Sequence, residues 1–380
     1  MGQKNCNEKM DSTIQKHLVI SAVNIRKGGT LTVLRDCLGY LSSCREYKVT
    51  ALVHSRELCN FPGIDYIEIP WSVKGWGHRL WCEYVTMAGI SRRLGPVDLW
   101  LSLHDTTPRV HAARRAVYCH TSFPFMKIKA KDFRMDFKIP LFAMLTRFAY
   151  RINVHKNDFL IVQQDWFRKG LSDMLKFPEE KIIVAPPHFE VPQIKGDPSG
   201  IPVFIYPATP DCHKNFETLC EASVILENRF GKDKFRTVIT VSGDENRYAK
   251  WLYKRWGKVE SIDFHGIMSK EELYDHYGKS ACLVFPSRVE TWGLPISEFL
   301  PSGKPMIIAD LPYAHETAAG ATSVAFFEAS NPDNLASLMG EIVRKQYGRF
   351  SPVPPSRPAS PAANGWKELF SVILSQTKDL

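Results

Sequence analysis

Pro286-Ser-Arg-Val-Glu-Thr-Trp-Gly-Leu-Pro-Ile-Ser-Glu-Phe-Leu-Pro-Ser-Gly-Lys-Pro-Met-Ile-Ile-Ala-Asp310 decides the reading of this chain. The residues before it, Ala281-Cys-Leu-Val-Phe285, are apolar throughout and stop at a proline, as a buried strand does. Gly293 and Pro295 suit a helix start, because a proline in the first turn lacks an N–H that would have no partner there. A Ser-Gly-Lys-Pro turn follows, and Met306-Ile-Ile-Ala309 reads as the next strand. Free N–H groups in the first helical turn can receive an anion such as a phosphate. Glu290 falls in the loop before the helix and Glu298 about one turn inside it, so the carboxylates can accept hydrogen bonds from two separate sets of hydroxyls. Taken alone, two glutamates at this spacing would fit a capped surface helix.

The rest of the chain repeats the alternation. Residues 17–24 are a nearly continuous apolar run, followed by Lys27-Gly-Gly-Thr30 and an amphipathic stretch over 31–41. Further strands are expected at 48–54, 66–69, 98–103, 116–119 and 158–163, with helices at 79–94 and 165–175. Residues 190–202 have the proline and glycine content of a linker. A second series then begins: strands at 203–206, 237–242, 261–264 and 282–285, helices at 216–230, 246–256 and 270–280, and after the opening motif a strand near 324–327 and a helix over 334–344. The fold class is α/β, two doubly wound parallel sheets, in which ligands bind beyond the carboxyl ends of the strands. Expected domains are 1–190 and 200–350, then a proline-rich spacer at 351–365 and a helix at 366–380 that either packs back on the first domain or forms a solvated tail.

A chain of 380 residues exceeds what one core usually organises, which agrees with two domains. No apolar run approaches the roughly 20 residues of a membrane span, and an N-terminus carrying Asn5, Glu8, Lys9 and Asp11 is not a signal peptide, so a cytoplasmic location is expected. Nine cysteines without a Cys-x-x-Cys pair argue for reduced thiols. The net charge of +9 implies an anionic partner. Over 123–151, Lys127, Lys129, Lys131, Arg134, Lys138, Arg147 and Arg151 interleave with Phe123, Phe125, Met126, Phe133, Phe137 and Phe142, a mixture suited to peripheral contact with an anionic membrane. A solvated helix face and ordinary core packing would account for the two sets separately. No nucleic-acid reading module is recognisable, and nucleic acid is not an expected partner.

Over most of its length, and most strongly from 281 to 316, the sequence resembles the retaining GT-B glycosyltransferases of family 4, the glycosyl transferases group 1. The resemblance implies two Rossmann-like domains facing a central cleft, with a C-terminal helix crossing back to the first. It places Glu290 on the donor-sugar hydroxyls, Glu298 on the ribose, and backbone N–H groups near Gly293 and Leu294 on the diphosphate. The family's Glu-Gly-Phe-Gly is here Glu-Thr-Trp-Gly, and Thr291 and Trp292 would narrow the pocket. Gly28-Gly29, which by itself is also a plain tight turn, would face the diphosphate or the acceptor. His120, in His-Thr-Ser-Phe-Pro, would face the donor sugar, with His104-Asp105 as a second candidate. In Ala208-Thr-Pro-Asp-Cys-His-Lys-Asn215, Lys214 matches the lysine that meets the diphosphate, whereas Thr209 stands where the family has an arginine, leaving His213 or Arg288 to compensate. Gly266 and Ile267 follow a strand at the point of contact with the base, although an ordinary glycine turn fits equally.

The implied activity is transfer of a hexose from a nucleoside-diphosphate sugar to a carbohydrate or lipid-linked acceptor with retention. The setting would be cell-surface polysaccharide or lipopolysaccharide assembly at the inner face of the cytoplasmic membrane. No Asp-x-Asp occurs, so no cofactor and no metal are expected. The rival reading, motivated by Thr209, is a nucleotide-sugar-binding or membrane-docking protein of the same fold with impaired turnover.

Overall fold

A computed structural model of the protein describes residues 15–187, 192–196, 198 and 200–375. The N-terminal residues on which the signal-peptide reading rests, parts of the 190–202 linker, and residues 376–380 lie outside the described residues. Strands β1 (Lys16–Ala22), β2 (Tyr47–Val53), β3 (Ile64–Glu68), β4 (Leu99–Ser102), β5 (Arg114–Tyr118), β6 (Phe159–Val162) and β7 (Ile182–Val184) form one sheet in the order β3-β2-β1-β4-β5-β6-β7. Strands β8 (Val203–Tyr206), β9 (Arg236–Ile239), β10 (Ile262–Phe264), β11 (Cys282–Phe285), β12 (Met306–Ala309) and β13 (Val324–Phe327) form the other, in the order β10-β9-β8-β11-β12-β13. In both, the chain steps outward on one side, returns, and steps outward on the other, which is the doubly wound order. In the second sheet the reversal lies between β8 and β11, paired in parallel with Phe204 beside Cys282 and Ile205 beside Leu283. Both strands are fully buried save Val203, as their apolar runs require.

Two compact units can be distinguished. The first holds Met1–Cys119, Asn153–Leu160 and Trp366–Leu380; the second holds His120–Ile152 and Ile161–Gly365. The change from one sheet to the next falls in the expected linker, but residues 120–152 group with the second unit, so compactness does not follow chain order.

In the first unit, the helix expected over 79–94 is three pieces: Trp76–Trp81, a π-helical turn at Cys82–Thr86, and Met87–Arg93. Glu83 lies wholly buried in the π turn. Its carboxylate meets Arg79 Nε at 2.8 Å, accepts from Thr106 Oγ1 at 2.6 Å, and lies 3.4 Å from His104 Nδ1. His104 is buried, with Nε2 3.0 Å from Ser21 Oγ, and burial lowers its pKa. The second candidate histidine is therefore a structural member of an internal polar network. The helix Gly365–Ser375 also belongs to this unit: Phe370 stacks on Tyr40 with ring centroids 5.9 Å apart, and Trp366 lies 6.1 Å from Tyr118.

In the second unit, the proline-rich segment is strapped down. Ser351 pairs with Val324, Arg168 Nη1 donates to Ala359 O at 2.9 Å, and Val184 N donates to Pro361 O at 3.0 Å. It is a fixed part of that unit up to Gly365 and not a free spacer.

Candidate active site

The carboxyl ends of β8 and β11 carry Lys214, Glu290, Gly293 and Leu294, at the one place in this sheet where neighbouring strands send their chains in opposite directions. After β8 the chain makes a single 3-10 turn, Cys212–Lys214, and Asn215 takes a left-handed conformation with φ of 60°. Asparagine tolerates this region because its short side chain can bond locally. Here that amide is buried and donates to Pro286 O at 3.0 Å and to Ala329 O at 2.8 Å. The loop after β11 is pinned residue by residue. Tyr313 Oη donates to Ser287 O at 2.7 Å, Arg288 N donates to His213 O at 2.8 Å, and Thr317 Oγ1 donates to Trp292 O. Such a loop holds its side chains in place before any ligand arrives.

Within that frame Lys214 Nζ lies 2.6 Å from Glu290 Oε1, both groups mostly shielded from solvent. Beside them is a cavity of about 110 Å³ lined by His120, Thr121, Ser122, Phe123, His213, Val289, Glu290 and Thr291. Whole-ligand pockets run to roughly 300–1,000 Å³, so this one has room for a ring or a phosphate and not for an entire nucleotide. Thr291 Oγ1 donates to His120 O at 2.5 Å, tying the histidine-bearing turn to the β11 loop. All these residues belong to the second unit. Trp292, expected to narrow the pocket, is not among the residues lining this cavity, and its indole Nε1 donates to Ser297 Oγ at 2.9 Å on the helix that follows.

The two side chains expected to replace the missing arginine do not supply a spare cation. Arg288 forms a two-pronged pair with Asp132, 2.6 and 3.1 Å, both side chains almost wholly buried. His213 is 8% exposed, and burial, reinforced by Lys214 and Arg288, holds its pKa well below the usual imidazole range. It is neutral at pH 7. Among the described residues its Nδ1 has no partner, and its ring meets Phe123 edge to face at 4.9 Å. Thr209 Oγ1 donates to Asp211 Oδ2 at 2.7 Å.

Gly293 is left-handed, φ 89°, and opens the six-residue helix Leu294–Phe299; a Cβ there would meet Phe285 at 3.5 Å and Ile296 at 3.3 Å. Glu298, on that helix, accepts from Tyr277 Oη at 3.3 Å, and burial raises its pKa. Gly266 is left-handed with φ 89°, and Ile267 beside it is 80% exposed. Gly28 is left-handed, φ 72°, and precedes the helix Gly29–Ser42 in the first unit. The sequence places Phe123 only in the basic and aromatic stretch and gives Ser122 and Asp132 no role at the site; Asp132 and Arg288 are 156 residues apart, and no local period signals such a pair.

Residues 120–152 divide by face. Phe123 lines the cavity and Met126 is buried, whereas Leu141, Met144, Leu145, Phe148 and Ile152 lie exposed along one side of the helix Lys138–Arg151 and just past its end. Phe133 and Phe137 are exposed before it, with Lys127, Arg134, Lys138, Arg147 and Arg151 in solvent around them. Among the described residues no helix is long and apolar enough to cross a membrane.

Residues 189–351 match the family described as glycosyl transferases group 1. No curated protein matches the chain by sequence. Among solved structures, a sucrose-phosphate synthase from Thermosynechococcus elongatus is similar with TM-score 0.62 and 14% identity, over 87% of this chain and 90% of that one. Anabaena HepE in complex with UDP and glucose is similar with TM-score 0.62 and 12% identity, over 88% and 92%. The lipopolysaccharide outer core galactosyltransferase WaaB gives 0.59 and 11%, over 88% and 91%. These likenesses establish the fold. The chain has the GT-B fold, and its residues 189–351 match the glycosyl transferases group 1.

Proposed function

We propose that the protein is a retaining hexosyltransferase, taking a nucleoside-diphosphate sugar as donor and a carbohydrate or lipid-linked molecule as acceptor. The observation that carries this is the Lys214–Glu290 pair at the β8/β11 reversal, beside a cavity that also holds His120 and the neutral His213. Lys214 would leave Glu290 for the departing diphosphate, and Glu290 would turn to sugar hydroxyls, so the pair stores each group in the charge state it needs. In the step itself the bond from the anomeric carbon to the diphosphate oxygen breaks and one to the acceptor oxygen forms on the same face. The acceptor's hydroxyl proton passes to the leaving phosphate. His120 would border the sugar, Glu298 would take the ribose, and Gly293 and Leu294 would offer backbone N–H groups to the diphosphate. Gly28 and Gly29 would offer theirs to the diphosphate or the acceptor. Gly266 and exposed Ile267 would meet the base. The reaction would need no metal.

Similar GT-B proteins bind such donors, as the Anabaena HepE complexes with UDP and with UDP-glucose do, which favours a uridine nucleotide. A thermal-shift screen over UDP-, GDP-, ADP- and dTDP-sugars is expected to single out one base. A ligand at 100 times its dissociation constant adds about 2.7 kcal/mol of stability. Glu298→Ala should reduce the shift, and equal responses to all four donors would defeat the assignment.

A setting in polysaccharide or lipopolysaccharide assembly at a cytoplasmic membrane surface fits the exposed apolar row of Lys138–Arg151 and its basic surround, which suit an anionic bilayer interface. Sedimentation with vesicles of phosphatidylglycerol mixed into phosphatidylcholine should carry the protein down. Leu145→Glu with Phe148→Glu should leave it in the supernatant, and equal sedimentation with pure phosphatidylcholine would remove the electrostatic part of the argument. The second reading, a donor-binding protein with impaired turnover, draws its support from the cation shortfall, since Arg288 is committed to Asp132 and His213 is neutral.

A further inference from the structure

We propose that His265, Glu272 and His276 form a binding site for a divalent transition metal of the zinc class, separate from the Lys214–Glu290 cluster. Glu272 and His276 are one turn apart on the helix Lys270–Lys279 and so share a face, and His265 lies in the connection between β10 and that helix. The three donor atoms lie within 4.8 Å of one another. His265 Nε2 is 3.5 Å from Glu272 Oε1, and the two imidazoles meet edge to face with centroids 5.0 Å apart.

Glu272 is oriented from behind. Ser269 Oγ accepts from Glu272 N at 3.1 Å and Glu272 Oε2 accepts from Ser269 N at 3.3 Å, a reciprocal helix cap that leaves Oε1 toward His265. A ligating carboxylate held by an outer partner is the arrangement metal sites use to fix geometry. Two imidazoles and one carboxylate are the donor set of an open zinc site, with a fourth position left for water or an incoming ligand. All-oxygen shells suit calcium and magnesium, so the set discriminates against them. The three side chains are partly or largely exposed, so an ion can reach them from solvent.

The site has a local consequence that does not depend on the proposed reaction. His265 is joined directly to left-handed Gly266 and exposed Ile267, so a metal bridging His265 to the helix would fix this loop.

The test is titration of the full chain with Co²⁺, followed by ligand-field absorption, with hydrogen exchange read over residues 265–267. The expected result is one equivalent bound with nitrogen and oxygen bands and no thiolate charge transfer, displaced by Zn²⁺, with slowed exchange in the loop. Exposed His265→Ala and Glu272→Gln should each weaken binding at least about tenfold, or 1.4 kcal/mol. Unchanged affinity in both variants, a thiolate charge-transfer band that persists in them, or the absence of bands altogether would overturn the proposal.

Discussion

Lys214→Ala is expected to lower turnover by about a hundredfold to a thousandfold, the usual loss when a preplaced stabiliser of developing negative charge is removed. The measurement is release of nucleoside diphosphate from a labelled donor. The reason for so large an effect is that, among the described residues of this cluster, no substitute stands ready. Thr209 stands where a second cation would be, His213 is held neutral by burial, and both prongs of the Arg288 guanidinium are spent on Asp132. Glu290→Ala should fail comparably for the opposite reason, since it frees the lysine but removes the acceptor of sugar hydroxyls. Undiminished turnover in Lys214→Ala would detach this lysine from the leaving group. Wild-type protein that binds a donor yet never cleaves it would instead favour the impaired-turnover reading.

Arg288→Met is expected to cost about 3–5 kcal/mol of stability, because it leaves the Asp132 carboxylate buried without its counter-charge. Adding Asp132→Asn should restore part of that loss, since the neutral amide is far cheaper to keep out of water. Denaturant unfolding of both variants gives the comparison, and a single-variant loss below about 1 kcal/mol would place the pair among weak surface contacts. The pair also links the helix Ala130–Met135 to the β11 loop, so Arg288→Met should blur the position of Glu290 as well as weaken the fold.

Much of the architecture was readable because its strands are buried on both faces. Residues 203–206 and 282–285 are continuous apolar runs, and their strand limits agree with those runs. The helices Asp165–Leu175 and Phe216–Phe230 likewise coincide with their periodic stretches. What local pattern could not reveal was polar and long-range. Glu83 sits inside what reads as one amphipathic helix, and its distant partners Thr106 and His104 leave no trace in the local pattern. The choice of His213 as a replacement cation rested on residue type, whereas burial decides its protonation. Trp292 shows the same limit: its place in the motif does not reveal that its indole bonds to Ser297.

The packing of Phe370 on Tyr40 and Tyr47 bears on how the protein is made. An emerging polypeptide shows these tyrosines to the solvent early, yet the ring that covers them is translated more than three hundred residues later. The surface around these tyrosines must therefore wait, partly uncovered, until Phe370 has been made, and a stop codon shortly before Trp366 would leave it bare to chaperones and proteases.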